Sequence, residues 1–149
     1  MTAPGGDQET LVVRRRLAAP RERVFAAWLD PRSLVQWMRP MGAAEPTVEV
    51  DPRVGGRFRI VMRHGGREVE HRGEYLAIEP PARLEFTWIS PSTYDRTTIV
   101  TVELDERDGG TELVLTHRLL PGTRLDAHRQ GWTDIVRLLD ETLARIGPA

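Results

Sequence analysis

Three residue types, cysteine, lysine and asparagine, are missing from this chain, and all 21 of its basic residues are arginine. Without cysteine there are no disulfides, no thiolate nucleophile and no cysteine metal ligands. Without lysine there is no Schiff base and no lysine general base. The all-arginine usage itself reads as the mark of a GC-rich genome. Serine occurs only as Ser33, Ser90 and Ser92, none of them in G-x-S-x-G, which argues against a serine hydrolase. No window approaches the 18 or so consecutive apolar residues of a membrane span, and the opening MTAPGGDQET has neither a basic start nor an apolar run. A cytoplasmic protein without membrane insertion is expected. The formal net charge of −1 provides no basic field for nucleic acid. The four histidines show no H-E-x-x-H or comparable spacing, so neither a metal nor a cofactor is expected. Gly55-Gly56 lacks the rest of a phosphate-binding loop and precedes a strand, which leaves a turn or β-bulge.

What is present is a change of period along the chain. Residues 1–8 are small, polar or turn-forming, and read as a disordered tail ahead of one domain over 9–147. Glu9 to Leu17 alternates as a strand. Pro20 fits a first helical turn, and Val24, Phe25, Trp28 and Leu29 follow at helical spacing. Asp30 is suited to cap a second short helix carrying Leu34, Val35, Trp37 and Met38. From Pro46 the period becomes two, predicting about six strands: Thr47 to Val50, Arg57 to Arg63, Arg67 to Ile78, Arg83 to Ile89, Arg96 to Glu106 and Thr111 to Arg118. The period returns to helical from Thr123 to Ile146, where Trp132, Ile135, Val136, Leu139, Leu143 and Ile146 form one apolar stripe. Short turns imply antiparallel pairing, and one-sided alternation implies a sheet with one packed face, so the class is α+β with the long helix lying across the sheet. Gly131 inside that helix costs about 1 kcal/mol relative to alanine, which a close helix–sheet approach would explain.

Four stretches carry a family resemblance. They are Phe25-x-x-Trp28-x-Asp30-Pro31-x-x-Leu34-x-x-Trp37; Asp51-x-Arg53-x-Gly55-Gly56-x-Phe58; Gly73-x-Tyr75-x-x-Ile78-x-Pro80-Pro81-x-Arg83-Leu84-x-Phe86-Thr87-Trp88; and Gly109-Gly110-Thr111-x-Leu113 through His117, with His128-x-x-Gly131-Trp132. In this order, spanning Leu11 to Leu143, they resemble the bacterial single-domain homologues of the C-terminal domain of the heat-shock-protein-90 ATPase activator, in the START-like (SRPBCC, helix-grip) superfamily. The resemblance implies a curved seven-stranded antiparallel sheet gripping the C-terminal helix, two short helices after the first strand, and a cavity between helix and sheet. It implies no reaction, because that superfamily holds lipid carriers, hormone receptors and polyketide cyclases alike.

The aromatic residues have two readings, ordinary core or cavity wall. With the resemblance, Trp37, Phe58, Phe86, Trp88 and Trp132 move toward the wall, while Trp28 stays as core. The candidate ligand pocket comprises Trp37, Phe58, Ile60, Met62, His71, Tyr75, Phe86, Trp88, Val100, Val102, Leu115, His117, Trp132, Val136 and Leu139; no residue is assigned as catalytic. His71 is the best polar candidate. His117, on the face of Leu113 and Leu115, reads as a hydrogen-bonded core histidine ahead of a catalytic base, His128 as a packing or capping contact and His64 as exposed in a turn. Glu70, Glu74 and Glu85 read as solvated cross-strand partners of arginines.

The expected function is therefore binding of a small apolar or aromatic molecule. The family name suggests instead a co-chaperone or protein-interaction domain with a chaperone or regulator as partner, although the eukaryotic activator has a further N-terminal domain for which this chain has no room. An acid–base cyclase or dehydratase would need at least two convergent titratable groups.

Overall fold

Seven stretches of alternating burial pair edge to edge in the computed structural model of the protein, which describes residues 8–146. They are β1 (Gln8–Leu17), β2 (Ala44–Val50), β3 (Arg57–His64), β4 (Arg67–Glu79), β5 (Arg83–Trp88), β6 (Thr98–Arg107) and β7 (Gly110–Pro121). The order across the sheet is β1-β7-β6-β5-β4-β3-β2, antiparallel throughout. From β2 onward each strand lies beside its successor, as short connections require. β1 is the exception. Two helices follow it, α1 (Arg21–Leu29) and α2 (Pro31–Trp37), and it pairs with the last strand. A 3₁₀ turn at Gly122–Arg124 then leads into α3 (Leu125–Ile146). This is the α+β helix-grip arrangement that the resemblance implied.

Local chemistry accounts for most boundaries. The Asp30 carboxylate accepts the Arg32 N–H at 2.9 Å, capping α2 as expected. Pro20 sits one position earlier than expected, at the N-cap of α1, where its φ of −66° continues from an extended segment. The β3–β4 hairpin closes through Gly65 and Gly66, both at positive φ, with His64 opposite Arg67. β2 begins at Ala44 rather than Thr47, and its register shifts between the two, around Pro46. It is an edge strand, where a missing ladder donor is tolerated. The predicted tail over residues 1–8 lies almost wholly outside the described residues, but Gln8 already pairs with Pro121.

The packed face of the sheet carries Leu84, Phe86, Trp88, Val100, Val102, Leu104, Leu113 and Leu115, in one continuous core with Trp132, Ile135, Val136, Leu139 and Leu143 of α3. Alternation is imperfect on β3, where Val61 is buried although Phe58, Ile60 and Met62 occupy the inner face. Among the carboxylates expected to pair across strands, Glu70 meets Arg59, and Glu85 meets Arg83 and Arg118 with a further bond from Thr101.

The close approach expected at Gly131 is not there, since a Cβ at that position would meet nothing within 4 Å. Close packing falls instead at Gly73, where a Cβ would come within 1.9 Å of the Thr87 carbonyl oxygen and 2.5 Å of the Phe58 ring. Gly131→Ala should therefore raise stability by about 1 kcal/mol, the helix propensity difference. Gly73→Ala should lower it by about 3 kcal/mol or more, because backbone and an aromatic ring must both move. Urea denaturation of the two variants checks the opposite signs.

Candidate functional site

Helix α3 and the sheet do not meet evenly. Beneath α2, a gap bounded by Trp28, Leu34, Met38, Val50, Phe58, Ile60, Tyr75, Phe86 and Trp88 measures only about 20 Å³, room for at most one water. Beside the first turns of α3 the space widens to about 710 Å³, within the range of small-molecule sites. Its floor is Trp88 and Trp132, 3% and 2% exposed, with Met62 and Ile135 beside them. Its mouth lies between Met41 and Tyr94, both more than half exposed and both at positive φ.

Of the residues expected to line a pocket, Met62, His71, Trp88 and Trp132 are brought together around this cavity. Phe58, Ile60, Tyr75 and Phe86 surround the 20 Å³ gap instead, together with Trp88. Trp37, Val100, Val102, Leu115, His117, Val136 and Leu139 line neither space and are fully or almost fully buried. The cavity also uses Pro40, His64, Arg67, Val69, Pro91, Ser92, Arg124, Ala127, His128 and Gly131, which periodicity did not single out. Most of them lie in turns or at element ends, where no repeat marks a face. Gly131 was the one available signal: an interior helix glycine without a packing reason leaves open space, and that space is the cavity.

One hydrogen-bonded chain fixes the floor. The Trp132 indole N–H donates to His117 Nδ1 at 2.9 Å. An indole nitrogen only donates, so Nδ1 carries no hydrogen, and Nε2–H donates to Thr98 Oγ1 at 2.7 Å. Thr98 passes its hydroxyl hydrogen to the Trp88 carbonyl. Helix α3 is thereby tied to β7, β6 and β5 through a histidine with no exposed surface. Burial pushes the His117 pKa down to about 2, so the ring stays neutral. This is the hydrogen-bonded core histidine, with both ring nitrogens satisfied.

His71 differs. It is 8% exposed, stacks on Trp88 at 4.9 Å between ring centroids, and its buried Nδ1 has no hydrogen-bond partner. Burial lowers its pKa to about 4. His128 donates from Nδ1 to the Arg124 carbonyl at 2.8 Å, one turn back at the start of α3, and burial lowers its pKa too. His64 is exposed, with Nε2 donating to the Met41 carbonyl at 2.9 Å. Arg124 donates from Nε and Nη2 to the Ser92 carbonyl and hydroxyl, tying the 90–95 loop to the start of α3. Among the described residues no three His, Cys, Asp or Glu side chains are placed to share a metal ion, and no helix is long and apolar enough to cross a membrane.

An antiparallel sheet gripping a C-terminal helix, with a cavity along that helix, defines the helix-grip class. The chain belongs to the family of activator of Hsp90 ATPase homolog 1-like proteins, whose sequence pattern matches residues 18–144. Similar solved structures include a protein from Rhodobacter sphaeroides, 30% identical with a TM-score of 0.78, covering 93% of this chain and 95% of its own. A protein from Chromobacterium violaceum is 27% identical with a TM-score of 0.79, covering 91% and 97%. An HSP90 activator from Plasmodium falciparum is 25% identical with a TM-score of 0.74, covering 91% and 96%. Among curated proteins none matches the chain.

The buried neutral histidines make stability depend on pH. Between the folded pKa of about 4 for His71 and an unfolded value near 6.5, the unfolded chain binds a proton that the native state refuses. Stability therefore falls as pH falls through that window, by about 1.4 kcal/mol per pH unit for each such histidine. His71→Gln should flatten the curve between pH 6 and pH 4.5 by about that slope. Denaturation midpoints across this range measure it, and an unchanged slope would show that His71 does not refuse the proton.

Proposed function

We propose that the protein, acting as one domain over residues 9–147 in the cytoplasm, binds a small, largely apolar molecule in the cavity beside α3. The observation that carries this reading is the floor: two nearly buried indoles, with the His71 ring stacked on one of them, beside about 710 Å³ of space. The widening coincides with Gly131, where a side chain would occupy the space.

A second reading draws on the family and on the Plasmodium falciparum relative, an HSP90 activator. In it the protein acts on a heat-shock protein 90. Pull-down with that chaperone and its ATPase rate with and without the protein decide the matter; no binding and no rate change would remove it. The acid–base reading has titratable side chains in His64, His71 and His128, but among the described residues no carboxylate lines the cavity to orient them.

Phenylnaphthylamine, a neutral apolar fluorophore, tests the binding reading. It should bind saturably, quench emission from Trp88 and Trp132, and lose at least about tenfold in affinity in Gly131→Leu, whose side chain would project into the cavity over the floor. Failure to bind this and other apolar probes would sink the proposal.

A further inference from the structure

The cavity's charge has one sign. Its wall carries the guanidiniums of Arg67 and Arg124 beside the uncharged rings of His71 and His128, and among the described residues no aspartate or glutamate. Strand alternation produces this on the sheet side. Along β4, Arg67, Val69 and His71 turn to the cavity, while Glu68 and Glu70 pair with Arg63 and Arg59 of β3. On the helix side, Asp134 is held by Arg137 and the Met41 N–H, and with Asp126 it lines a separate groove shared with Arg129 and Arg137. The nearby carboxylates are thus committed or turned elsewhere. Arg67 makes no ion pair or side-chain hydrogen bond among the described residues. Arg124 spends two of its five donors on Ser92 and pairs with no carboxylate among them.

The polarity is also ordered in depth. Trp88 and Trp132 form the floor, whereas the exposed Arg67 stands with Met41 and Tyr94 toward solvent. A neutral apolar ligand would use the floor alone, and filling the mouth would strip water from two guanidiniums without offering them a partner. We infer, resting on the binding reading above, that the ligand is an amphipathic anion: a flat aromatic or short aliphatic acid. Its apolar body lies on Trp88 and Trp132, and its acid group meets Arg67 and Arg124. The His71 ring, stacked on Trp88, forms the wall between floor and mouth. Arginine suits this task because its planar fork matches a carboxylate or sulfonate in two parallel bonds.

Two probes sharing one ring system isolate the charge: anilinonaphthalene sulfonate, and phenylnaphthylamine, which lacks the sulfonate. The anionic probe should bind about tenfold tighter at low salt, and added salt should erode that preference. Arg67→Gln and Arg124→Gln should each reduce the ratio of anionic-probe to neutral-probe affinity about threefold. Gly131→Leu should abolish both signals, separating cavity binding from adsorption elsewhere. Equal affinities, or a preference that neither arginine substitution moves, would overturn the inference and leave the binding reading standing. Loss of binding for both probes in the unmodified protein would instead remove the binding reading itself.

Discussion

The hydrogen bond from Trp132 to His117 is the constraint on which the cavity depends. Without it, an indole on an amphipathic helix has many ways to pack, and α3 has freedom to settle onto the sheet wherever apolar contact is greatest. With it, the indole ring is held in one orientation, the histidine in one tautomer, and Thr98 carries the constraint on to the backbone of β5. The chain is enclosed in a low-dielectric core, where satisfied hydrogen bonds are strong and broken ones costly. Trp88, the other half of the floor, packs against Trp132 at 5.0 Å between ring centroids. Fixing one indole therefore positions the other.

Around that fixed floor the helix and sheet diverge toward the N-terminal end of α3. On one side of the floor the space beneath α2 is filled by Trp28, Trp37, Phe58, Tyr75 and Phe86, stacked edge and face at 4.8 to 6.4 Å. On the other side no comparable side chain occupies the gap, because position 131 is glycine and the neighbouring turns contribute small or solvent-directed residues. The result is a site with an aromatic floor, an arginine-bearing mouth and, among the described residues, no carboxylate. Packing and electrostatics have separate origins here. The void is widest where α3 lacks a side chain, and the one-signed charge on the sheet side follows from the two-residue period of β4, which sends glutamates out and Arg67 in.

Family membership and fold explain the scaffold, while the site belongs to this chain's own residues. The relatives at 25–30% identity share the architecture over nearly their whole length. Helix-grip proteins as a class differ in what lies between helix and sheet, so function is argued from Trp88, Trp132, His71, Arg67 and Arg124 rather than from the sheet that carries them.

The one-dimensional pattern specified the elements: the alternation in β3 to β7, the stripe Trp132, Ile135, Val136, Leu139 and Leu143, the Asp30 cap and the Gly65-Gly66 turn were all legible, because backbone period and local capping are set by neighbours in sequence. It also marked Met62, His71, Trp88 and Trp132 as inward-facing. What it left open was which inward residues touch one another and which face empty space. Phe58, Phe86 and Val136 have the same apolar signature as Trp88, yet they sit in filled core, and His117 reads like His71 until Trp132 is placed beside it. Gly131 suggested tight packing and instead marks a void. Those distinctions depend on where two distant segments converge and where they part, a property of α3 and the sheet together, and only the tertiary structure decided them.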